Sequence, residues 1–143
     1  MAEASSIIRI TTALIMNLKG DVLLVRKAGT TAFMQAGGKL DSGETPRQAL
    51  ARELKEELSL EVEPDIFDYL GSFSAPAANE PGWSVEAECF YLLCPNVDSP
   101  EAEIEEVLWV DPFSLPEIEL APLTRDYILP LARKRRQSCP APH

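Results

Sequence analysis

Apolar residues along this chain fall into short runs, and the period of each run separates strands from helices. Ile7 to Asn17 is a β-rich run, Leu18 to Asp21 contains a glycine turn, and Val22 to Arg26 returns, so the chain opens on a hairpin. Phe33 to Ala36 extends briefly before Gly37 and Gly38. From Pro46 to Leu58 the period becomes helical, with Leu50, Leu54 and Leu58 recurring every four residues on one stripe. Ile66 to Phe73 and Val85 to Cys94 read as two further strands, joined by a loop from Ser74 to Ser84 that holds Pro, Ala, Asn and Gly. Val107 to Val110 is another strand, bounded by Asp111 and Pro112. Leu123 to Arg135 forms a helix burying Tyr127, Ile128 and Leu131, with Pro130 as a point of kinking or division. Strands, helix, strands, helix, without an internal repeat, describe a mixed α/β domain.

The first helix has a well-marked start. Thr45 suits the N-cap, Pro46 the first helical position, and Gln48 completes a T-x-x-Q capping box, with Glu44 just ahead of the positive helix end. Beside its leucine stripe stand Arg52, Glu53, Glu56 and Glu57. At 100° per residue, Glu56 and Glu57 fall about 60° to one side and about 40° to the other of Glu53, so three carboxylates share an arc of roughly 100°. Like charges at these spacings repel by roughly 0.2 to 0.5 kcal/mol per pair. A hard divalent cation such as Mg2+ or Mn2+ relieves that repulsion by taking oxygen ligands. The heptad RELKEEL alone is equally an ordinary solvated helix face.

The residues ahead of it decide between the two readings. Gly38 lies six residues before Glu44, and Glu44 eight before Arg52, so the segment from Gly38 to Leu60 follows G-x5-E-x7-R-E-U-x-E-E-x-G-U, with U a bulky aliphatic residue. This pattern is the Nudix box, and the chain resembles the Nudix hydrolase family, in its small MutT-type form, at Gly38, Glu44, Arg52, Glu53, Leu54, Glu56, Glu57 and Leu60. One position departs: Ser59 stands where the family has glycine, the residue that reaches a left-handed helix exit without steric strain.

The resemblance implies a mixed β-sheet between helices, with this helix at the catalytic edge. It also implies cleavage at the pyrophosphate of a nucleoside diphosphate linked to another group, such as a (d)NTP or a nucleotide sugar, with Mg2+, or Mn2+ as a substitute. On that reading Glu56 and Glu57 hold the cation, Glu53 is a further ligand or the general base, and Arg52 orients the carboxylates. Glu44 and the Gly38 carbonyl complete or orient the coordination shell. Glu103, six residues before Trp109, resembles the downstream acidic ligand of MutT-type members, although Glu101, Glu105 and Glu106 share its acidic stretch. Arg26, Lys39 and Glu44 are the candidate substrate-binding residues. Arg26 and Lys27 close a strand that runs toward the box, and one of them is expected on substrate phosphate. A non-catalytic nucleotide-binding or regulatory module is the alternative, which the intact carboxylates disfavour.

The chain's 143 residues, 45% hydrophobic and 25% charged, suit a single Nudix domain over residues 1–143, with the box at 38–60 and residues 133–143 expected as a flexible tail. A formal charge of -10 disfavours nucleic acid and anionic membranes as partners, leaving a small nucleotide substrate; a homodimer is compatible with it. The run Arg133, Lys134, Arg135 and Arg136 fits a helix C-terminal end better than a nucleic-acid patch. No apolar run reaches a spanning length, no basic leader precedes Ile7, and Cys89, Cys94 and Cys139 form no disulfide framework, so a cytoplasmic protein is expected. His143 is the only histidine, leaving acid and base work to carboxylates. Phe33 and Trp83 can stack a base or fill core space. MutT-type enzymes that prefer oxidised guanine nucleotides resemble one another in an asparagine before the last helix; here Thr124 or Leu123 takes its place.

Overall fold

The computed structural model describes residues 6–95, 97 and 103–138. The chain runs β1 (Ile7–Met16), β2 (Val22–Lys27), β3 (Ala36–Lys39), α1 (Pro46–Leu58), a 3-10 turn (Pro64–Ile66), β4 (Asp68–Pro76), β5 (Ser84–Leu93), β6 (Ile104–Val110), a π turn (Thr124–Ile128) and α2 (Leu129–Ser138). The sheet is ordered β4-β5-β1-β2-β6, with β3 also paired to β1. It is mixed: β1 lies parallel to β5 and antiparallel to β2 and β3.

Strand alternation divides the core between the two helices. Ala13 and Ile15 of β1 join Leu23 and Val25 of β2 on the face that receives Leu50, Leu54 and Leu58 of α1. Leu14, Met16, Val22 and Leu24 point the other way and pack on Ile128, Leu129 and Ala132. Each fully buried leucine of the α1 stripe contributes about 1.5 to 3 kcal/mol. The expected sheet between helices is therefore the observed one, and among the described residues no helix is long and apolar enough to cross a membrane.

Three local expectations need correction. The brief strand placed at Phe33 to Ala36 runs instead through the glycines, because only a residue without Cβ can lie this close to β1: at Gly37, with φ 144°, a Cβ would stand 2.1 Å from the Thr11 carbonyl oxygen. The last helix accommodates Pro130 through the wide turn before it, in which the Leu129 N–H reaches back five residues to the Thr124 carbonyl. That extra residue per turn rotates Tyr127 outward to 38% exposure, where it stacks on Phe73 instead of being buried. The tail expected from 133 is helical to Ser138; Arg133 donates to the Pro112 carbonyl, Arg135 covers the Tyr91 ring and Arg136 pairs with Asp111. Cys139 lies outside the described residues, and Cys89 is buried in β5.

Candidate functional site

Thr45 caps α1 as its sequence suggests, its side chain accepting from the Gln48 N–H while the Gln48 side chain accepts from the Thr45 N–H. Thr11 of β1 donates to the Pro46 carbonyl at 3.1 Å, tying the helix start to the sheet. The helix ends at Ser59 with φ 58° and ψ 27°, and its left-handed exit is closed by the Leu60 N–H bonding the Leu54 carbonyl at 3.2 Å. Serine thus holds the conformation for which glycine is favoured.

Between these ends Arg52 gathers the acidic residues. Its Nε and Nη2 donate to the two oxygens of Glu44 at 2.7 and 2.9 Å, its Nη1 to Glu53 at 3.0 Å and to Glu56 at 3.4 Å, and Nη2 also to the Lys39 carbonyl at 3.1 Å. Bidentate charge-assisted bonding of this kind is strong and directional. It holds the Glu44 carboxyl at about 2, well below the usual carboxylate range. Glu44, expected on substrate or in the coordination shell, is committed to Arg52 and to the Asp41 N–H.

Glu53 lies against Gly38, where a Cβ would meet its carboxylate at 2.6 Å, so the glycine makes room for the acid. Glu57, with its side chain 3% exposed, accepts from the Gly37 N–H at 3.2 Å and faces the Lys27 ammonium at 3.3 Å. Burial pushes its carboxyl up to about 7, against the lowering effect of Lys27 and Gly37. Glu56 is the most exposed of the three.

Glu53, Glu56, Gly38, Lys27, Lys39 and Glu103 line a cavity of about 510 Å³. Glu103 is set there by its carbonyl, which accepts the Ala28 N–H at 2.9 Å just beyond β2. Glu105 and Glu106 lie on β6 and pair with Arg26, and Glu101 lies outside the described residues. Arg26 is also bonded to the Thr30 carbonyl and sits over the Phe33 ring; of the two strand-end cations, the one beside the helix carboxylates is Lys27. Alternation carried the signal, because Lys27 continues the face of Leu23 and Val25 toward α1, whereas Arg26 continues that of Leu24. Phe33 is core and Trp83 is exposed; neither lines the cavity.

The cavity is also lined by Ile8, Ile10, Val85, Ala121 and Leu123, with Thr12, Gln35 and Thr124 among them. Nothing in the sequence patterning singled out Gln35 or Thr12. The loop residues Pro76 to Glu80 border the opening.

The carboxylates and the Gly38 carbonyl offer oxygen donors only, which suits a hard divalent ion. Among the described residues no three His, Cys, Asp or Glu side chains already converge as a metal cage. The expected cradle of Glu53, Glu56 and Glu57 is instead turned toward protein cations, Arg52 for the first two and Lys27 for the third. Their helix positions and oxygen chemistry fit an ion, while these rotamers fit the ion pairs.

The NUDIX domain family model matches residues 8–131. An 8-oxo-dGTP diphosphatase of Haemophilus influenzae is 30% identical over 115 residues, 76% of this chain and 79% of that protein. The solution structure of the E. coli ORF135 protein superposes with a TM-score of 0.69 at 27% identity, over 96% of both chains. The crystal structure of a MutT protein from Methanosarcina mazei Go1 gives a TM-score of 0.72 at 23% identity, over 95% of this chain and 99% of the other. With the box, the capped helix and the sheet all in place beneath that match, the chain belongs to the NUDIX family and is a MutT-type Nudix pyrophosphohydrolase acting on derivatives of nucleoside diphosphates.

Proposed function

We propose that the chain hydrolyses the pyrophosphate linkage of a nucleoside triphosphate or nucleotide sugar with Mg2+, Mn2+ serving as a substitute. The observation that carries this reading is the Arg52 clamp, which holds Glu53 and Glu56 in the lining of the cavity, with Glu53 packed against Gly38. Glu56, Glu57, Glu53 and the Gly38 carbonyl would hold the ion, with Glu103 as the ligand from outside the helix. When bound, Mg2+ supplies charge neutralisation at the pyrophosphate oxygens and a more acidic water.

The chain's own groups do the rest. Lys27 and Lys39 reach the cavity and bind phosphate oxygens, and Arg52 keeps the acidic residues in register. Glu53 is either a further ligand or the base that takes the proton of the attacking water. The name of the Haemophilus relative supports a nucleoside triphosphate as the substrate class. Thr124 offers no amide at the position before the last helix, so the reading extends to nucleotides generally instead of 8-oxo-dGTP alone.

A panel of nucleoside triphosphates, nucleotide sugars and dinucleoside polyphosphates, assayed with Mg2+, with Mn2+ and with EDTA, tests it. Metal-dependent release of a nucleoside monophosphate from at least one compound is expected. Silence across the panel with saturable binding would refute it.

A further inference from the structure

Within the cavity the Gln35 carboxamide is held by hydrogen bonds on both its nitrogen and its oxygen. Gln35 is 4% exposed and lines the cavity together with Thr12 and Thr124. Its Nε2 donates to Thr12 Oγ1 at 3.2 Å, Thr12 donates onward to the Cys89 sulfur at 3.5 Å, and the Thr124 hydroxyl donates to Gln35 Oε1. A hydroxyl has one hydrogen. With that of Thr12 turned to Cys89 and that of Thr124 turned to the amide oxygen, the amide nitrogen faces β1 and its oxygen faces the last helix.

A carboxamide has two donor hydrogens and two acceptor lone pairs. Thr12 and Thr124 use one of each, leaving one donor hydrogen and one acceptor lone pair on a side chain that lines the cavity with Ile8, Ile10 and Leu123. Apolar walls with a few placed polar groups suit a small organic ligand. The same cavity is lined by Lys27, Glu53, Glu56 and Glu103, suited to a metal-bound pyrophosphate.

We propose that Gln35 is a specificity-determining residue, whose amide reads the edge of the nucleobase through adjacent donor and acceptor contacts while Thr12 and Thr124 prevent it from flipping. This rests on the reading of the cavity as a nucleotide site. The amide absent from position 124 is thereby supplied by the segment ahead of β3, and Thr124 acts as its positioning residue.

The test titrates nucleoside monophosphates bearing each of the four common bases into the full chain, without metal, by calorimetry, and measures Mg2+-dependent turnover of the matching triphosphates on the same samples. Wild type, Gln35→Leu and Thr124→Val are compared, with thermal unfolding as a check of folding. The expected result is a base preference in the wild type that narrows by about tenfold or more in Gln35→Leu, the scale of a lost two-point contact. In Thr124→Val, which keeps the amide but frees its oxygen, the preference narrows less; this variant carries the test if the leucine variant does not fold. Base ratios that stay unchanged in the variants, or a wild type indifferent to the base, would overturn the assignment even with turnover intact. Base-dependent binding lost in Gln35→Leu, alongside no turnover in any sample, would uphold Gln35 while refuting hydrolysis.

Discussion

Arg52 and Glu44 meet in a two-pronged ion pair, at 2.7 and 2.9 Å, that fixes the guanidinium from which Glu53, Glu56 and the Lys39 carbonyl are also held. One side chain therefore joins the loop before α1, the helix face and the end of β3. Lysine has the charge of arginine without its planar fork. Arg52→Lys is expected to lower turnover by about tenfold or more and to destabilise the fold by roughly 1 to 3 kcal/mol, the range of hydrogen bonds to charged groups. Steady-state kinetics and urea unfolding measure the two effects; wild-type values for both would show that the clamp organises nothing.

Glu56→Gln and Glu57→Gln each remove a charged candidate ligand from the same helix face. Turnover should fall about a hundredfold or more in each, with the protein still folded. Near-normal rates in both variants, at saturating Mg2+, would reject the assignment of the metal to this face.

The arrangement of Glu57 makes the metal-free protein sensitive to pH. Its carboxyl sits at about 7 in the folded state against an ordinary 4.5, so the folded state holds the extra proton between those values. Stability from this group is complete below about pH 4.5 and is lost as pH rises through about 7, a change of up to about 3 kcal/mol. The only histidine in the sequence is His143. Unfolding of the wild type in EDTA should show the slope, and Glu57→Gln should flatten it. An equal slope in both would refute the buried-carboxyl account.

Ser59 at φ 58° is strained as no glycine would be. Ser59→Gly should raise stability by a few tenths to about 1 kcal/mol, despite the added freedom of the unfolded chain. An unchanged or lowered denaturation midpoint contradicts it.

Local chemistry made α1 readable in advance: Thr45, Pro46 and Gln48 specify its start, and the leucine stripe its buried face, with no help from distant residues. The same holds for β1 and β2, whose continuous β-rich apolar runs mark strands buried on both faces. The path of β3 was hidden because its glycines, usually turn residues, serve here to let strands approach, a demand imposed by Thr11 across the sheet. The rotamers of Glu53, Glu56 and Glu57 were hidden for a similar reason, since Lys27 reaches Glu57 only after β2 and α1 have packed. Gln35 carries no periodicity or motif at all; its partners Thr12 and Thr124 are 23 and 89 residues away in sequence.

The substrate prediction follows from how Thr124 is used. Its hydroxyl is directed to Gln35, so it cannot offer the paired donor and acceptor that an asparagine presents to a purine edge. Sites that depend on such paired bonds discriminate strongly between analogues, and a site without that asparagine should not share their preference for oxidised guanine. A broad or different nucleotide preference is therefore expected, although the Haemophilus relative carries the name of an 8-oxo-dGTP diphosphatase. Measuring kcat/KM for 8-oxo-dGTP, dGTP and the other nucleotides on one preparation decides the matter. A preference of several thousandfold for the oxidised base, near the roughly 10⁴-fold scale of dedicated hydrogen-bond recognition, would show the expectation of a broad or different preference to be wrong.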